Sequence, residues 1–123
     1  MPTLRIQAIV PTGRSIDTLL TDCTAAAAAA LGIPQDWCWA LFQPVSAGTY
    51  AEGGQVWGAE DGNRAAVLIS ITALEGRTAE LKAAVLGATA RAAAASLGLP
   101  LQQIFVEYRD IPRGQAFSGG EVA

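Results

Sequence analysis

Apolar and polar positions alternate along this chain in two places, in the manner of a strand with one face turned to a core. Leu4, Ile6, Ala8 and Val10 alternate with Arg5 and Gln7, and Val67, Ile69 and Ile71 alternate with Ser70 and Thr72. Each alternation then gives way to a helical period. Ile16, Leu19, Leu20, Cys23 and Ala27 recur on one face after Ser15, as Leu81, Val85, Ala88 and Ala92 do after Thr78. Ser15 and Thr78 stand where an N-cap hydroxyl accepts a backbone N–H. Gly32 and Gly98, each followed two residues on by proline, end the helices. The stretches Trp37 to Phe42 and Ile104 to Tyr108, rich in aromatic and apolar residues, predict a second strand in each half.

The landmarks therefore occur twice in the same order. Leu4, Gly13-Arg14-Ser15, Leu31-Gly32-Ile33-Pro34 and Gly53-Gly54 are matched by Val67, Gly76-Arg77-Thr78, Leu97-Gly98-Leu99-Pro100 and Gly119-Gly120. The one difference in spacing is about one helical turn between the GR and LGxP landmarks. A single domain over residues 1–123, built from internal repeats of about 1–57 and 65–123, accounts for this. A strand, helix and returning strand make a parallel pair with a right-handed crossover. Two such β-α-β units joined edge to edge give an α/β fold of the α+β kind, a four-stranded sheet with both helices on one face. Trp37, Trp39, Phe42 and Phe105 make that sheet apolar on more than one side, so its free face is expected to pack against copies of itself.

Composition narrows the function. A hydrophobic share of 51% with 15% charged residues can bury a core, and a net charge of -3 without clustered Lys or Arg speaks against nucleic acid. Arg5, Gln7 and Arg14 interrupt every early apolar run and Ala25 to Ala30 is short, so neither a membrane segment nor a targeting signal is expected and the chain reads as cytoplasmic. Cys23 and Cys38 form no CxxC pair and read as small core residues. The chain has no histidine, which removes the commonest general base and most transition-metal sites. With no phosphate-binding glycine motif either, neither a metal nor another cofactor is expected. Catalysis is left to a carboxylate, a tyrosine, a lysine or a terminal amine.

Met1-Pro2 supplies the amine. A small second residue permits removal of the initiator methionine, leaving a secondary amine at the start of a strand. Burial disfavours its charged form, so it can take a proton from a carbon α to a carbonyl. A retained methionine would make the same nitrogen an amide with no basic lone pair.

The run Val67 to Thr78 with its Glu75-Gly76-Arg77, then Leu97-Gly98-Leu99-Pro100, Ile104 to Tyr108 and Phe117 to Ala123, resembles a complete subunit of 4-oxalocrotonate tautomerase. The opening Met1 to Pro11 is similar to the start of macrophage migration inhibitory factor, and length and duplication resemble the fused members of the tautomerase superfamily, malonate semialdehyde decarboxylase among them. The resemblance implies a homotrimer with the helices outside a central barrel. It also implies an active site at each Pro2, acting without a cofactor on a small-molecule carboxylate. Keto-enol tautomerisation of a small 2-oxo acid, with Pro2 as general base, is the activity it implies. Hydration, decarboxylation or dehalogenation of a three-carbon acid with the same proline as acid is the alternative, and a non-catalytic binding protein a third.

On that resemblance Arg77 closes the EGR motif and would hold a substrate carboxylate, for which a planar guanidinium is suited. Arg14 is its repeat mate, a second ligand or a structural relic, since Val67 or a neighbour stands where the first copy has proline. Glu107 and Tyr108 lie on the strand that brings polar groups toward the proline, and alternation sends them to opposite faces. Tyr108 also reads as a plain core aromatic, and Asp36 as either a water-activating acid or a turn aspartate. Trp39 and Phe105 replace the second carboxylate-binding arginine of 4-oxalocrotonate tautomerase, and Leu74 an arginine of the dehalogenase type. An apolar or aromatic tail on a monocarboxylate therefore suits this chain better than a dicarboxylate, with Arg109 and Arg113 as cations that nearby loops could bring in.

Overall fold

The computed structural model describes residues 1–57 and 66–123. The first unit runs β1 (Thr3–Ala8), α1 (Ile16–Leu31) and β2 (Trp39–Pro44), followed by a small hairpin of β3 (Ala51–Glu52) and β4 (Gln55–Val56). The second runs β5 (Val67–Leu74), α2 (Ala79–Leu97) and β6 (Ile104–Ile111), with its own hairpin of β7 (Phe117–Ser118) and β8 (Glu121–Val122). The sheet order is β2-β1-β5-β6: the outer pairs are parallel, as crossovers require, and the central pair β1-β5 is antiparallel.

The caps behave as their chemistry dictates. Ser15 Oγ accepts from Thr18 N–H at 3.2 Å and Thr78 Oγ1 from Leu81 N–H at 3.1 Å. Gly32 and Gly98 close the helices in the left-handed region, at φ 69° and 66°. The second strands depart from expectation. Trp37 belongs to a 3-10 turn, Gln35–Trp37, launched by Pro34, so β2 starts only at Trp39. β6 runs on to Ile111, because its pairing with β5 continues to Leu74. Trp39 and Phe105 lie on the open face of the sheet, Phe42 packs against the core, and Trp37 is outside the sheet altogether.

Both helices cover one face, burying Leu19, Cys23 and Ala27 of α1 and Val85, Ala93 and Leu97 of α2 on Leu4, Ile6, Ile69 and Ile71. Each fully buried Leu or Ile contributes about 1.5–3 kcal/mol by leaving water. The small residues let the helices pack closely on each other and the sheet. The opposite face stays open, with Trp39 55% and Phe105 56% exposed. Cys23 is buried, and burial, reinforced by Asp22, pushes its thiol up to about 12. Among the described residues, no helix is long and apolar enough to cross a membrane.

Candidate active site

Pro2 is buried at the head of β1, on the helix side, because it continues the alternation of Leu4, Ile6 and Ala8. Continuing the strand pairings by one position sets it between Cys38 and Ala73, and Trp39 N–H donates to its carbonyl at 3.0 Å. The antiparallel pairing of β1 with β5 is what matters here. It brings the far end of β5, and hence the loop carrying Arg77, to the end of the sheet where Pro2 begins.

Arg77 is half-buried, and its Nη1 donates to Tyr108 Oη at 3.5 Å. Cys38 lies within electrostatic reach of both Arg77 and the chain's terminal ammonium. Burial pushes its thiol up, and these two cations pull it back in part. The neutral thiol is thus a common neighbour of the terminus and the arginine. On the same side Lys82 of α2 is ion-paired with Asp110 of β6, which pairs with Ala73, and its ammonium stands 5.5 Å from the centre of the Tyr108 ring.

On the other side of the same sheet end lies a cleft of about 160 Å³ lined by Met1, Thr3, Trp39, Leu74, Ile111 and Phe117. The start of β1 therefore has a cationic and phenolic group on one side and an apolar, aromatic cleft on the other.

The remaining candidates are dispersed. Glu107 and Tyr108 point to opposite faces; Glu107 is on the open side, where Arg109 donates to it through Nε at 3.0 Å and Nη2 at 3.3 Å. That contact, with help from Ser70, holds the Glu107 carboxyl below its usual range. Asp36 is exposed on the 3-10 turn ahead of Cys38. Phe105 pairs with Leu68, which pairs with Gln7, so it sits about 16 Å along the strands from Pro2. It lines a different cavity, of about 300 Å³, with Arg5, Gln7, Ser70 and Glu107. Arg14 follows the far end of β1, and its guanidinium lies against Gly98: a Cβ there would collide with Nη2. Arg113 lies over Gly76, beside Arg77, and its N–H donates to Glu75 Oε2 at 2.8 Å.

Lys82 and Asp110 are absent from the sequence reading, and Cys38 enters it only as a core residue. The signal for the first two was the duplication itself, since Lys82, Tyr108 and Asp110 take the places held in the first copy by Leu19, Phe42 and Pro44. Cys38 needed the parallel register to be seen beside Pro2.

A mixed sheet of this order with both helices on one face is the fold of the tautomerase superfamily. No family model matches the chain. It is 44% identical over 45 residues to a probable tautomerase of Ralstonia nicotianae, a match covering 37% of this chain and 64% of that protein's length, less than two thirds of it. A fused 4-OT wild-type symmetric trimer is 27% identical with a TM-score of 0.83, over 98% of this chain and 94% of that one. Macrophage migration inhibitory factor of Toxoplasma gondii shares the fold at 19% identity and a TM-score of 0.75, over 98% and 99% of the two chains. The protein has the fused 4-oxalocrotonate-tautomerase-like, MIF-like architecture.

Proposed function

We propose that this chain is a tautomerase that interconverts the enol and keto forms of a small 2-oxo acid, with Pro2 as the base once Met1 has been removed. The observation that carries the reading is the meeting of Pro2, Arg77 and Tyr108 at one end of the sheet, opposite the Trp39 cleft. Arg77 holds the substrate carboxylate. The secondary amine takes the enol hydroxyl proton and returns it to the adjacent carbon, so the C=C bond becomes C–C and the C–O bond becomes C=O. The similarity to a probable tautomerase supports the reaction class.

The cleft supports an apolar or aryl tail. A lined apolar cavity of about 150 Å³ accepts benzene, and this cleft is of that size. Met1 forms one of its walls, so removal of that residue both frees the amine and opens the cleft. The groups that hydration would need to activate water favour it less: Asp36 stands exposed on a turn, and Glu107, paired through Ser70 with Arg5, is three positions along the sheet from Pro2 and tied to Arg109. The open, aromatic sheet face supports a homotrimer, the assembly of the fused 4-OT it resembles.

The test follows ketonisation of an aryl enolpyruvate by absorbance, using protein whose intact mass confirms loss of Met1, beside Pro2→Ala. A wild-type rate well above buffer that collapses in the variant is expected; a wild-type rate equal to buffer overturns the proposal. Light scattering should give the mass of three chains.

A further inference from the structure

The two copies of the β-α-β unit each carry an arginine after the first strand, and the two arginines end in different surroundings. Arg14 lies back on Gly98, the left-handed cap of α2, whereas a Cβ on the matching cap, Gly32, would touch nothing within 4 Å. Arg77 instead reaches the hydroxyl of Tyr108. The difference traces to three neighbouring positions. Aligned on the helix N-caps and on the LGxP turns, the first copy has Leu19, Phe42 and Pro44 where the second has Lys82, Tyr108 and Asp110. Leu19 and Phe42 contribute to the apolar core and offer a guanidinium no acceptor. In the second copy the phenol oxygen accepts from Arg77, the Lys82 ammonium stands over the Tyr108 ring, and Asp110 holds that ammonium by an ion pair.

We infer that Tyr108, braced by Lys82 and Asp110, is a positioning residue that holds Arg77 ready for an anionic group at the Pro2 end, and that its replacement by Phe42 in the first copy leaves Arg14 to a structural place on Gly98. The inference rests on the tautomerase reading for its substrate, and on nothing else in it. Tyr108 needs no contact with the reacting atoms. It uses one guanidinium N–H and leaves the remaining donors of Arg77 for a carboxylate.

The test compares an aryl enolpyruvate with its methyl ester, which lacks the anion, in the full chain and in Tyr108→Phe and Lys82→Met. The free acid should lose affinity: KM rises several-fold in Tyr108→Phe, as expected for losing a long, 3.5 Å hydrogen bond to a charged group, and less in Lys82→Met, while the ester, which gives Arg77 no anion to hold, is affected far less than the acid in both variants. A merely structural role would lower acid and ester together, and that result, or an unchanged KM for the acid, overturns the inference. Should the wild type turn over neither compound, the tautomerase reading fails, and the positioning of Arg77 is decided separately by NMR of the unliganded protein. The Arg77 Nε–Hε signal, assigned by its absence in Arg77→Ala, should shift in Tyr108→Phe; a signal that stays in place contradicts the inference.

Discussion

The two β-α-β units differ at the sheet end where each places its arginine far more than they differ in their cores. Ile6 and Ile71 lie on neighbouring strands under the same helices, and Ser15 and Thr78 cap those helices with the same bond. At the ends, Pro2 with Cys38 beside it lies at the same end of the sheet as Arg77 and Tyr108. The matching end has Val67 beside Ile104, near the Arg14 that packs on a glycine. Packing asks only for shape and apolarity, which a duplicated unit supplies twice. A site asks for particular groups in one place, and one place per chain suffices.

The largest effects on the folded state should be symmetric between the halves. Ile6→Ala and Ile71→Ala, both fully buried, should each cost about 2–5 kcal/mol in urea unfolding; a large loss in one and none in the other would break the equivalence of the two cores. The caps should separate them. Both Gly32→Ala and Gly98→Ala force a side chain into the left-handed region at about 1–2 kcal/mol, but only Gly98→Ala must also displace Arg14, so it should be the more damaging by thermal melting. Smaller still is a pair of threonines. Thr24 Oγ1 donates to Leu20 O at 2.9 Å, whereas Thr89 Oγ1 is buried with no partner among the described residues. Thr89→Val should stabilise by about 1 kcal/mol and Thr24→Val should destabilise, a difference in sign that denaturation will read.

The smallest effect concerns pH. The Glu107 carboxyl sits below its ordinary range, chiefly through Arg109, so its pairing favours the folded state above the usual carboxylate pKa and is lost as pH falls through the lowered value. In a single chain both groups are in water, so under conditions that keep the chain monomeric the acid-unfolding curves of wild type and Glu107→Gln should nearly superimpose. A clear separation in the proposed trimer would mean that its interface covers this pair.

Much of this was legible in the sequence because it is local. Strand alternation, hydroxyl caps and glycine stops depend on residues a few positions apart, and the duplication repeated each signal. One strand start differs from the sequence reading: Pro34 opens a 3-10 turn that takes Trp37 out of the strand, whereas Ile104 begins β6 as expected. Of the candidate site, Pro2 and Arg77 are legible because a motif marks each of them. Its surroundings depend on register across the sheet, which sequence does not show: Cys38 reads as a core residue with nothing to set it beside Pro2, Asp110 carries no motif of its own, and Phe105 groups with Trp39 although the two stand at opposite ends of the open face.

The most direct measurement of the central claim is kcat/KM for an aryl enolpyruvate in Arg77→Ala beside Arg14→Ala. Loss of the anion-holding arginine should cost on the order of a hundredfold in Arg77→Ala, while Arg14→Ala stays within about twofold of wild type. Equal losses in the two variants, or a larger loss in Arg14→Ala, would contradict a single reactive end built by the second unit around Pro2.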